Sequence, residues 1–218
     1  MLNIQLTPVV KKLLIINVAV FLIQNTIGKH YEYLFKLHDF KNYYFYPFQY
    51  LSHMFMHANF RHLLSNSLPL LFFASYLESL LGPKRFLAFY LICGLGAGVF
   101  YSIIHHYELI QFVDAKSLEY SPSESWAYLN SDPNRAMLGA SGAVFGVLMG
   151  CAIFFPDMEI MIIPIPVPIK MKYMVLVYGV YELITGVYKV PGDNVAHFAH
   201  LGGMLFAYLI VKYWRKYN

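Results

Sequence analysis

The feature that most constrains this chain is the spacing of its charges, because six long windows carry almost none. They span about 9–28, 62–80, 86–106, 138–155, 171–188 and 195–213. A helix that crosses a bilayer needs roughly 20 mostly apolar residues, within a range of about 17 to 25, and each window meets or approaches that length. The shorter ones end in polar residues that can snorkel or line a protein cavity. Composition agrees. Hydrophobic residues make up 58% of the 218 and charged residues only 13%, against about 25% charged in ordinary soluble domains. Mean hydropathy is +0.49. The expectation is an all-α polytopic membrane protein, one domain over 1–218, with no sizeable soluble part. Lys11 and Lys12 precede an apolar run much as in a signal peptide, but no small-residue cleavage site follows, so a retained first helix is expected. Cys93 and Cys151 both fall inside apolar windows and imply no disulfide framework.

Basic residues orient the helices. With a cytoplasmic N-terminus, the inner face collects Lys11, Lys12, Lys84, Arg85, Lys170, Lys172, Lys212, Arg215 and Lys216 and is strongly positive, whereas the outer face is close to neutral. Both termini are therefore expected in the cytoplasm. The outer segment 29–61 is rich in tyrosine and phenylalanine, as befits a stretch lying in the headgroup layer. Residues 107–135 read as an exposed polar loop. The run from Pro164 to Pro168 reads as an extended connector.

Two short motifs carry the chemistry. Gly139-Ala140-Ser141-Gly142 opens the fourth window, and Ala199-His200-Leu201-Gly202-Gly203 stands in the sixth. A serine near a helix start is ordinarily a cap or an interface hydrogen-bonder. Here Gly142, Gly146 and Gly150 recur at four-residue spacing, as do Gly203 and Ala207, so two small-residue faces can pack to backbone contact. Such packing would bring the Ser141 hydroxyl within proton-transfer reach of the His200 imidazole. His197 competes with His200 but lacks the small face ahead of it, and is expected at the outer helix end facing water. His62 and Asn66 share a helix face and are suited to stabilise an oxyanion or simply to bond between helices. His53 with His57, or His197 with His200, have spacings compatible with metal ligation.

Taken together, these motifs resemble the rhomboid family of intramembrane serine proteases, in its minimal six-helix bacterial form, over nearly the whole chain. The resemblance rests on the Gly-x-Ser-Gly run, on Ala199-His200, and on His57, His62 and Asn66 at their spacing. It implies a six-transmembrane-helix bundle in which Ser141 is the nucleophile and His200 the base, a dyad with no carboxylate member. The Ser141 N–H, His62 and Asn66 would form the oxyanion hole, and Phe145 would pack on the imidazole. His57 would tie the first outer loop to the second helix. Glu78, with Gly82, would brace a loop at the inner end of that helix. Gly139, Gly142 and Gly203 would support the site. Phe48-Gln49 stands where many members have Trp-Arg in the outer loop, and Ala207 replaces a glycine. The implied activity is cleavage of transmembrane protein substrates near the outer face, before which a small residue is expected. The implied setting is the lipid bilayer of a bacterial plasma membrane, with no cofactor, metal or nucleic acid. Glu182, the carboxylate in the fifth window, has no derived role: bracing a mobile helix and bonding to a polar neighbour both fit. Two other classes fit the composition. One is a client-binding rhomboid-like protein without activity, which would usually lack the serine or histidine. The other is a metal transporter or metalloprotease built on the nine histidines, which would want a His-Glu-x-x-His motif that the chain lacks.

Overall fold

A computed structural model describes residues 6–26, 28–116, 121, 136–161, 167–188 and 195–217. The described chain is mostly helical, interrupted by the irregular stretch 35–48, by short connections and by one small hairpin. Its helices are α1 (Pro8–Thr26), α2 (Gln49–Ser52), α3 (Phe60–Pro69), α4 (Ser75–Leu81), α5 (Pro83–Lys116), α6 (Ser141–Phe154), α7 (Met171–Tyr188) and α8 (His197–Tyr217). The hairpin pairs β1 (Glu159–Ile160) antiparallel with β2 (Ile169–Lys170). Residues 162–166, which include most of the proline connector, lie outside the described residues.

The helices bury one face and leave the other apolar. On α1, Val10, Leu13 and Asn17 turn inward at helical spacing, while Ile15, Val18, Leu22 and Ile23 are exposed. On α7, Met174, Val175 and Glu182 are buried, and Leu176, Val177, Val180, Leu183, Ile184 and Val187 are exposed. So much exposed aliphatic surface is costly in water and at home in lipid. Two helices, α1 and the Pro83–Gln111 stretch of α5, are each long and apolar enough to cross a membrane unaided, and α6 is a shorter apolar helix.

Helix α6 sits at the centre, packed against α8, α5 and α7. Its glycines make this possible. A Cβ on Gly203 would stand 1.8 Å from the Gly142 carbonyl oxygen, and one on Gly142 would stand 2.4 Å from the Ala97 Cβ. One on Gly146 would meet Cys93 at 2.6 Å. Three backbones therefore touch where α5, α6 and α8 cross. Ala207, a methyl larger than the family glycine, is fully buried within the core.

Helices α3 and α4 form one rod from 60 to 81, joined by a π-helical stretch at Leu70–Ala74. Pro69, immediately before it, has no N–H to give and crowds the preceding turn, so the regular α-helical ladder is interrupted there. The rod begins at Asn59, whose side chain caps the His62 N–H at 2.9 Å. It ends at Gly82, whose φ of +77° favours glycine.

Glu78 differs from the sequence expectation. It is 2% exposed, and its carboxylate accepts from the N–H groups of Val9 at 3.0 Å and Val10 at 2.9 Å and from the Thr7 hydroxyl. It braces not a loop but the N-terminus of α1, where unpaired N–H groups and the helix dipole both favour an anion. Removing it strands those buried donors, so Glu78→Ala is expected to cost roughly 3 kcal/mol or more, read as a lowered unfolding midpoint in detergent.

A second difference is that residues 107–116 are not loop but continue α5. At 34 residues this helix is about 51 Å long by its rise per residue, well beyond a hydrocarbon core of about 30 Å. Its extension is buttressed by the outer segment: His106 Nδ1 is 3.0 Å from Asp39 Oδ2 and its ring lies 4.1 Å from that of Phe40. Leu109 and Val113 are buried at i, i+4 spacing. The rest of the expected loop, apart from Ser121, lies outside the described residues up to 135.

Candidate functional site

The site forms where the start of α6 meets α8, against the segment 29–59. The chain enters α6 through Gly139, whose φ of +129° is strained for any side chain. Its N–H donates to the His53 carbonyl at 2.9 Å, and a neighbouring antiparallel bridge joins Leu37 to Met137. These contacts aim Ser141, the first residue of α6, into the bundle. Close contact between Gly142 and Gly203 then sets the distance to α8. The Ser141 Oγ and the His200 Nε2 lie 2.8 Å apart, within range for proton transfer.

His200 is 8% exposed. Phe145, one turn beyond Ser141, stacks on its ring at 4.2 Å and 5°, which fixes the plane of the imidazole. His62, expected with Asn66 to form the oxyanion hole, lies beside these three residues. A Cβ on Gly139 would lie 2.8 Å from both Cε1 and Nε2 of His62 and 3.7 Å from the Ser141 Oγ. His62 Nε2 and the serine hydroxyl therefore face each other across a glycine that has no room to be anything else. His62 Nδ1 accepts from the Ala58 N–H at 3.4 Å, which leaves the ring proton on Nε2, facing the site. One turn on, Asn66 is 3% exposed and its amide Nδ2 has no hydrogen-bond partner. A buried donor left open in this way is rare and calls for a function.

His57 reaches the first helix as well as the second, α3. Its main chain is tied to α1, with Gln24 Nε2 donating to the His57 carbonyl at 2.9 Å and the His57 N–H donating to Gln24 Oε1 at 3.2 Å. Its ring meets that of His62 edge-on at 5.4 Å. It thus links the outer loop to the first helix by backbone and props His62 by ring contact. Gln49, in place of the family arginine, is fully buried and donates to the carbonyls of Leu34 at 3.0 Å and Tyr44 at 2.7 Å. It shapes the outer loop from within.

Burial pushes the imidazole of His53 down to about 3. Burial, with His62 alongside, pushes that of His57 down to about 4, against the Phe55 carbonyl that favours its charged form. Both stay neutral in the fold, while in the unfolded chain each protonates near 6.5. The unfolded state therefore binds more protons below that pH, and stability falls as pH drops from about 6.5 towards 4. For His57 alone the loss approaches about 3 kcal/mol. Thermal unfolding at pH 7.5 and pH 5 checks this, and His57→Gln is expected to flatten the dependence.

His197 and Glu182 are the corrections to the sequence reading. His197 does not face water; it is 6% exposed. Its Nδ1 donates to Glu182 Oε2 at 2.6 Å and lies 3.0 Å from the Thr185 hydroxyl. Nor is the serine–histidine pair without a carboxylate, because Glu182 Oε2 also lies 2.9 Å from His200 Nδ1. The N–H direction there falls short of a formed hydrogen bond, so Nδ1 is otherwise unpartnered and the contact is one of proximity. Thr185, one turn from Glu182, is a member that the sequence reading missed. The signal available was Glu182 itself, since a carboxylate inside an apolar span is functional by default.

Among the described residues, Glu182, His197 and His200 are also a group that could hold a metal, with donor atoms within 4.8 Å of one another. Donors around one zinc ion at 2.0–2.1 Å would stand about 3.3 Å apart. The 2.6 Å between His197 and Glu182 is instead that of a charge-assisted hydrogen bond.

The comparisons follow the same lines. A family profile described as the rhomboid domain matches residues 45–217. A curated relative, "RHOMBOID-like protein 12, mitochondrial" of Arabidopsis thaliana, is 28% identical over 91% of this chain and 56% of its own length. The chain thus spans little more than half of that relative. With most of its length inside the rhomboid domain, this chain belongs to the rhomboid family and is an integral membrane protein.

Proposed function

We propose that this protein is an intramembrane serine endopeptidase that cuts transmembrane segments of other membrane proteins near the outer face of the bilayer. The observation that carries the reading is the 2.8 Å approach of Ser141 Oγ to His200 Nε2, with Phe145 stacked on the ring.

In the proposed mechanism His200 Nε2 takes the hydroxyl proton as Ser141 Oγ bonds to the scissile carbonyl carbon. The resulting oxyanion is met by the Ser141 N–H, His62 Nε2–H and the Asn66 amide, aimed where charge develops. The tetrahedral species collapses as the C–N bond breaks and His200 passes its proton to the leaving amine. Water, activated by the same histidine, then hydrolyses the acyl-enzyme. The unpartnered Asn66 donor supports this assignment, because it has a use only when a hydrogen-bond acceptor such as an oxyanion arrives.

The same reading extends to the architecture: one rhomboid-type unit over 1–218, six membrane crossings, and both termini in the cytoplasm. The positive inner face supports the orientation, and the exposed aliphatic faces of α1, α5 and α7 support contact with lipid. Resemblance to the minimal six-helix form supports a bacterial plasma membrane. Substrates enter sideways from the bilayer, and their helices must unwind locally to expose the backbone. No cofactor enters the chemistry.

A fluorophosphonate probe tests the reading directly. Labelling of the purified protein in detergent, mapped by mass spectrometry to Ser141 and lost in His200→Ala, is the expected result. A folded protein that neither labels nor cuts a transmembrane substrate would instead be a client-binding member of the family.

A further inference from the structure

A serine–histidine pair leaves Glu182 without a use, yet it is buried on α7 between two imidazoles. We propose that Glu182 is the positioning carboxylate for His200 and that His197 holds it in place. This inference rests on the proposed assignment of His200 as the base.

A neutral imidazole accepts a proton at Nε2 only if its own proton sits on Nδ1. Phe145 fixes the ring plane but is indifferent to which nitrogen is protonated. The acceptor at hand for Nδ1 is Glu182 Oε2, 2.9 Å away. A buried N–H with nothing to bond to would cost free energy, so the carboxylate biases the ring towards the tautomer that has Nε2 free. The imperfect angle in the resting protein is of the kind that tightens when substrate is bound.

Glu182 in turn needs partners, because an isolated carboxylate this deeply buried is unfavourable. His197 supplies one at 2.6 Å. The Thr185 hydroxyl donates to the Tyr181 carbonyl at 2.7 Å, so towards His197 Nδ1 it acts as a second acceptor. The relay runs from His197 through Glu182 and His200 to Ser141, across three helices. The i, i+3 pair Glu182 and Thr185 on α7 faces the i, i+3 pair His197 and His200 on α8. When Ser141 gives up its proton, His200 becomes an imidazolium whose charge is met by the carboxylate. The Nδ1 proton stays on the ring, and the Nε2 proton leaves with the amine.

The test compares wild type with Glu182→Gln and Glu182→Asp in proteoliposomes carrying a transmembrane substrate. Alongside it, 15N-histidine NMR reads the tautomer of His200. Glutamine can offer an amide N–H to Nδ1 and so favours the wrong tautomer. The expected result is a fall in kcat of about 10²–10⁴-fold with KM within about twofold, and a move of the ring proton to Nε2. Aspartate, one methylene shorter, is expected to restore the Nδ1–H tautomer and part of kcat. A folded Glu182→Gln variant with wild-type kcat, or with its Nδ1 proton in place, overturns the proposal. Should Glu182→Gln not fold, Glu182→Asp decides: wild-type kcat with an Nε2–H tautomer would sink it. Failure of wild type to label at Ser141 would sink the protease reading instead, and the tautomer measurement would still judge Glu182.

Discussion

Ser141→Ala and His200→Ala are each expected to lower cleavage of a transmembrane substrate by about 10⁴-fold or more. The alanine at 141 has no nucleophile, and without the imidazole the Ser141 hydroxyl keeps its proton. Within the described residues, His200 Nε2 is the base that hydroxyl touches. Groups that act as one unit are strongly non-additive, so the double variant should be no slower than either single. A rate measured for all three in proteoliposomes checks both statements. Two partial, additive losses would mean that the pair does not act together. Stability should be little changed in Ser141→Ala, because the residue starts a helix held by its glycines and not by its hydroxyl.

Gly203→Ala is expected to be the most damaging single methyl in the bundle. The added carbon would stand 1.8 Å from the Gly142 carbonyl oxygen, which is backbone and cannot rotate aside. Helices α6 and α8 must move apart, at an expected cost of about 3 kcal/mol or more. Their separation also lengthens the approach of Ser141 to His200, so activity should fall with stability. Gly179→Ala is the control. There the new methyl meets the Met204 Cε at 3.1 Å, the end of a flexible side chain that can swing away. Unfolding midpoints in detergent should drop sharply for the first variant and hardly at all for the second. Equal midpoints would mean that the close crossing does not hold the bundle together.

Much of this protein was legible along the chain because lipid imposes simple rules. Long apolar windows become helices, since every backbone group must find its partner within the segment. Small residues at four-residue spacing become contact faces, and Gly142 and Gly203 duly meet. Ser141 and His200 were legible for the same reason, since each leads a stripe of small residues, whereas Phe145 was legible only through the family resemblance. Local periodicity places residues on a face, and packing of small faces leaves few ways to join them.

What the sequence could not decide was anything that depends on the rotation of one helix against another. His197 and His200 are three residues apart, so both could turn inward or only one. Glu182 sits on α7, with eight residues of chain between that helix and the start of α8, a separation that leaves the register open. Only the packed bundle brings Glu182 between the two histidines, and the same packing takes Glu78 to the start of α1 and turns His57 towards Gln24. The reach of α5 beyond the membrane window also escaped the sequence, because polarity there reads as loop until Asp39 and Phe40 meet His106 from a distant segment. The sequence by itself determined the helices and the two residues whose meeting defines the site. The tertiary structure decided which buried charges face which partners, because that choice depends on helix rotation, which no local pattern encodes.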